Sequence, residues 1–100
     1  MTELDAEVHQ PTRLRILMLL SGVATADFNF LLNTLGLTKG NLSAHMSRLE
    51  EVGYVEVTKK FDGKIPNTSY RLTSLGKSRL KDYWRAIDEI RWVSPAGRGP

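Results

Sequence analysis

Four residues in one stretch of the chain, Ser43, Ala44, Ser47 and Arg48, are of types that read the edges of base pairs. Arginine bonds guanine O6 and N7 bidentately, serine pairs with several bases, and an alanine methyl fits against the thymine methyl. Asn41, suited to adenine, and His45 flank this row, and Lys39 precedes it. Leu42, Met46 and Leu49 recur at i, i+4 and i+7, so they share one helical stripe and leave the small polar residues on the other side. A second set, Lys59, Lys60 and Lys64, surrounds a glycine-containing turn, where flexible ammonium groups reach backbone phosphates or a minor groove. Arg13 and Arg15 are further candidates for phosphate contact.

Other chemistries find no support. Ser43 and His45 stand two residues apart on the same helix, pointing to different faces, so they form no nucleophile and base pair. His9 and His45 are the only imidazoles and there is no cysteine, which removes thiolate chemistry, disulfides and an ordinary metal-ligand spacing. No phosphate-cradling glycine motif occurs. The chain reads as a non-enzyme that needs no cofactor. Its longest apolar run, Ile16 to Leu20, falls far short of the roughly 20 residues that span a bilayer. The acidic N-terminus has none of the zones of a signal peptide, so the reading is a soluble, cytoplasmic protein without a membrane partner.

One hundred residues with 41% hydrophobic content suit a single modest core. The formal charge of +3 is mild, but it is unevenly placed. Glu3, Asp5 and Glu7 load the N-terminus, whereas Lys59, Lys60, Lys64 and Arg71 outnumber Glu56 and Asp62 between positions 54 and 73.

The elements that position these groups follow from spacing and punctuation. Leu14, Leu17 and Met18 predict a core stripe on a helix that opens at Pro11 and stops at Gly22. Residues 4–9 read as a separate short helix, broken from the next by Pro11. Asp27 caps a helix carrying Phe28, Leu31, Leu32 and Leu35 until Gly36, and Thr38 caps the next one two residues later. That short turn is the joint of a helix-turn-helix. Tyr54–Thr58, extending toward Phe61, and Thr68–Leu72 read as strands, with Asp62-Gly63 turning the chain and Lys64–Asn67 lengthening the connection. Pro66 belongs to a loop or a sheet edge. Thr73 or Ser74 caps a last helix with Leu80, Tyr83, Trp84, Ile87 and Ile90 at helical spacing, and Ser94–Pro100 form a flexible tail after a single domain over 1–93.

Four blocks carry a family resemblance: Pro11–Leu17, Gly40–Met46, Glu51–Val55 and Tyr70–Gly76. Together they resemble the small winged-helix transcriptional regulators related to the MarR and ArsR groups, over nearly all of residues 5–92. The resemblance implies a mainly α fold with a small β-hairpin, a winged helix-turn-helix with N- and C-terminal dimerisation helices. It implies a homodimer that binds double-stranded DNA, with the helix over about 38–52 in the major groove and the wing over about 54–72 beside it. Leu4, Val8, Leu80, Tyr83, Trp84, Ile87 and Ile90 are the expected dimer contacts. The missing cysteines set the chain apart from metal-sensing ArsR members, and no residue specifies a small-molecule effector. The competing reading is a winged helix used for protein assembly without DNA.

Overall fold

The computed structural model describes residues 3–92; the expected tail over 94–100 lies outside them. Four helices, α1 (Pro11–Ser21), α2 (Phe28–Leu35), α3 (Lys39–Glu51) and α4 (Ser74–Trp92), surround strands β1 (Ala26–Asp27), β2 (Val55–Asp62) and β3 (Ile65–Leu72). The sheet is antiparallel in the order β1-β3-β2. The mainly α winged architecture is thus present, with one strand more than a hairpin. β1 pairs only Ala26 with Tyr70 and Asp27 with Ser69, a bridge two residues long that local pattern does not reveal.

Helix boundaries are set by caps. The Gln10 side chain accepts from Arg13 N at 2.7 Å, Asp27 Oδ1 from Phe30 N at 2.7 Å, Thr38 Oγ1 from Asn41 N at 3.2 Å and Thr73 Oγ1 from Gly76 N at 3.0 Å. Each satisfies an orphan donor of the first turn, a contribution of about 1 kcal/mol. The α2–α3 joint closes at Gly36, which is left-handed at φ 65.

The core is one cluster. Ile16, Leu17 and Leu20 of α1 meet Leu31 of α2, the α3 stripe Leu42, Met46 and Leu49, and Leu80 and Tyr83 of α4. Burying each leucine contributes about 1.5–3 kcal/mol. The stripe of α1 differs from the one the spacing predicted: Met18 is 48% exposed and Leu14 only partly buried, while Ile16 and Leu20 take the inner positions. Several apolar stripes fit this leucine-rich helix, and contact with α3, β3 and α4 selects one.

The N-terminal segment is corrected too. Residues 4–9 form turns rather than a helix. Glu7 N bonds Asp5 Oδ1 at 2.8 Å and His9 N bonds Asp5 O at 2.7 Å, so the aspartate folds the chain onto itself. Gln10 is extended at φ −148, ψ 127, as the residue before a proline prefers.

The connection between the long strands is shorter than expected. Asp62 pairs with Ile65, leaving Gly63-Lys64 as a two-residue turn. Gly63 has φ +66 while no non-glycine residue among those described, Lys64 included, has positive φ, the pattern of a type II′ turn. Ile65–Asn67 therefore belong to β3 and extend the ribbon. Pro66 sits opposite Phe61, beyond the reach of β1, where one side of β3 is open and an N–H is dispensable.

Candidate nucleic-acid interface

With its leucine stripe buried, α3 presents three other faces, and the sequence-predicted residues divide among them. Ser43 and Ser47, joined by Glu50, line an open cleft of about 390 Å³ that is closed on its far side by Val57, Lys59 and Thr68 of the wing. Ala44 points outward, and Lys39 and Asn41 stand exposed at the start of the helix. His45 and Arg48 lie on the third face, against the N-terminal segment.

Arg48 is exposed but not idle. Its Nε donates to Glu7 Oε1 at 2.8 Å, one Nη reaches the other Glu7 oxygen, and the second Nη binds Glu51. Its pKa is raised by these carboxylates, and the Glu7 carboxyl is held below its usual range, chiefly by the Arg48 hydrogen bond. Three of its five N–H donors thus face carboxylates, so Glu7 and Glu51 compete with any other acceptor for Arg48.

Arg13 turns inward. Nε donates to Glu7 O at 2.7 Å and Nη2 to Ala6 O at 3.3 Å, while Nη1 lies 3.3 Å from His45 Nδ1. A guanidinium only donates, so Nδ1 is the acceptor and the His45 proton belongs on Nε2. Partial burial, then the Arg13 charge, lowers the His45 pKa and favours that neutral form. Arg15 donates to Leu35 O at 3.0 Å, closing the end of α2. Arg13 is drawn away from the surface by the carbonyls of Glu7 and Ala6, whereas Arg15 stays exposed. Spacing offered no signal for these roles; the carbonyls come from distant turns.

In the wing, the pleat separates the lysines. Lys59 shares the row of Val55 and Val57, the row that faces α3, whereas Lys60 points to the opposite face. Lys64 crowns the turn, and all three are exposed. Arg71 is paired across the strands with Glu56 at 2.8 Å, which removes it from the positive surface.

The expected dimer residues also divide. Val8 is 0% exposed, Leu80 6% and Tyr83 5%, all inside the protomer's own core, with Leu4 and Ile87 packed against it. Val8, Leu80 and Tyr83 are unavailable as a surface because this small domain uses them to close itself, whereas Leu4 and Ile87 are only partly buried. His9 Nδ1 and Tyr83 Oη, 2.8 Å apart, fix the same corner. Trp84, 41% exposed, and Ile90, 47%, remain outside; Trp92, also unburied, joins them at the end of α4. Among the described residues no His, Cys, Asp and Glu grouping suits a metal ion, and no helix is long and apolar enough to cross a membrane.

Residues 12–91 match the family model of a winged helix DNA-binding domain. An uncharacterized protein of Methanocaldococcus jannaschii is 39% identical over 71 residues, covering 71% of this chain and 77% of that protein. Among solved structures, the transcriptional regulator homologue from Pyrococcus horikoshii OT3 superposes with a TM-score of 0.80 at 28% identity, over 85% of this chain and 84% of that one. Escherichia coli MarR complexed with operator DNA shares the fold, with a TM-score of 0.66 at 19% identity over 78% of this chain and 56% of that one. The chain belongs to the winged helix DNA-binding domain family, with the fold of MarR-type transcriptional regulators.

Proposed function

We propose that this protein is a sequence-specific DNA-binding transcriptional regulator that works as a homodimer, α3 entering the major groove and the wing lying on the flanking backbone or minor groove. The observation that carries the reading is the open cleft in which Ser43 and Ser47 of α3 face Lys59 of the wing. Small side chains on a rigid helix let the rod approach base edges, and a cation one strand away grips the phosphates beside them. Lys39, Asn41 and Ala44 extend the contact row toward the helix start.

The exposed end of α4 supports pairing with a second copy. Ile90 continues the stripe of Leu80, Tyr83 and Ile87 past the limit of the core, where apolar area has no cover within the protomer. Two protomers then read a roughly palindromic duplex, one α3 per half-site, and repression by occlusion is the simplest output of such a dimer.

The test is a titration of duplex DNA at rising salt. Binding that falls steeply, with a log–log slope of about −0.9 per neutralised phosphate, is the expected result. Failure to bind any duplex at low salt and micromolar protein would overturn the reading in favour of a protein-assembly module. Selection from a random duplex pool then gives the operator.

A further inference from the structure

Phe61 is 76% exposed and Ile65 70%, the two most solvent-open large hydrophobic side chains among the described residues, and both sit at the tip of the wing. A hairpin end in water is an unfavourable place for an aromatic ring. The pleat makes the position informative. Phe61 belongs to the row of Val55, Val57 and Lys59, the row that faces the core at its base and α3 further out. By the time this row reaches Phe61 the core has ended, because residues 58–67 are all exposed. Directly across the ladder stands Pro66, so the tip of this face is an apolar pair, phenyl ring beside pyrrolidine ring.

The surroundings point to the occupant. Lys59 lies two residues back on the same row, Lys60 on the reverse face and Lys64 in the turn, so cationic groups bracket the apolar tip; Asp62 stands opposite Ile65 on the other row. Apolar side chains held between lysines on a narrow two-stranded ribbon fit a polyanion with an apolar interior, which is a base-paired stack seen from its groove. From Val57 to Phe61 the ribbon runs four residues, about 13 Å at strand rise, enough to carry the tip past the phosphates bordering the site of α3.

We propose that Phe61, backed by Pro66, is a wedge that enters the minor groove beside the α3 site and partly unstacks one base step, kinking the duplex. This rests on the DNA-binding reading and adds to it a deformation of the DNA and a sequence preference at a step that no polar side chain touches. Wedges of this kind kink duplexes by roughly 20–90° and select the flexible pyrimidine–purine steps that open most easily. No bond is made or broken; the ring replaces part of the stacking that it interrupts.

The experiment uses the full chain and a duplex selected from a random pool, labelled at its ends with a fluorescence donor and acceptor and carrying a fluorescent adenine analogue in the flank. Wild-type protein brightens the analogue and shortens the end-to-end distance. Phe61→Ala binds about tenfold more weakly, with an unchanged salt slope, and gives neither optical change; Phe61→Leu, which keeps a wedge, retains both in part. Thermal melts of Phe61→Ala match wild type, since the ring supports no core. The wedge is overturned if wild type binds without bending, if Phe61→Ala bends the duplex as wild type does, or if that variant changes the oligomeric state without DNA, which would make the tip a protein contact. Failure of wild type to bind any duplex would instead remove the DNA reading on which the wedge stands.

Discussion

Gly76 shows how little tolerance one position can have. A Cβ there would lie 2.1 Å from Tyr54 O and 3.0 Å from Tyr54 C, both backbone atoms that no rotamer change can move. Gly76→Ala is therefore expected to destabilise by at least about 2 kcal/mol, lowering the melting temperature by roughly 8–16 °C in a calorimetric scan. Tyr54 carries a second prediction. Its phenol is pushed up to about 12 by burial first and then by its hydrogen bond to Asp5. A raised folded-state pKa means the native state holds the proton more tightly, so this stabilisation is complete below the ordinary tyrosine pKa near 10 and is lost as pH climbs toward 12. Denaturant melts across that alkaline window should show stability falling, with a shallower fall in Tyr54→Phe. Arg48 gives a third. Glu7→Gln removes the carboxylate that holds its guanidinium, so duplex affinity measured by fluorescence anisotropy should rise a few-fold; a decrease would mean that the Glu7 contact orders α3 for binding.

At the scale of elements, the wing works as a two-faced ribbon rather than a basic patch. Lys59 faces α3 and Lys60 faces away, so a groove-bound α3 brings them to different surroundings. Lys59→Ala should flatten the log–log salt dependence of binding by about one unit, and Lys60→Ala by clearly less. Equal effects would mean the ribbon meets DNA on its edge. The alternation along β2 sets this assignment, since the buried Val55 fixes which row faces inward and Lys59 follows it. The N-terminal segment behaves as a strap: Asp5 reaches Tyr54, Glu7 reaches Arg48, Val8 is buried and His9 reaches Tyr83, so a piece without regular structure joins α3, the sheet and α4.

Among the described residues, the wing tip and the end of α4 both carry large apolar side chains past the core. The second is expected to be covered by another copy. Ile90→Glu with Trp84→Ala should turn a dimer into monomers in sedimentation velocity while the fold persists by circular dichroism, because neither side chain belongs to the buried cluster. The wild-type melting temperature should rise with protein concentration, and the variant's should not. Wild-type monomers at high micromolar concentration would refute the dimer.

What the amino-acid sequence by itself determined is local: the caps Asp27, Thr38 and Thr73, the turn at Gly36, the buried stripe of α3 and the exposed row beside it. These depend on residues within one or two helical turns, so the pattern that specifies them lies in a short window of sequence. Tertiary structure alone decided the rest. It placed Ile16 and Leu20 inside and Met18 outside, added β1 to the sheet, drew Arg13 inward and set Glu7 against Arg48, 41 positions away. Such choices are competitions among distant groups for the same carbonyl, carboxylate or core volume, and only the assembled fold brings the competitors together.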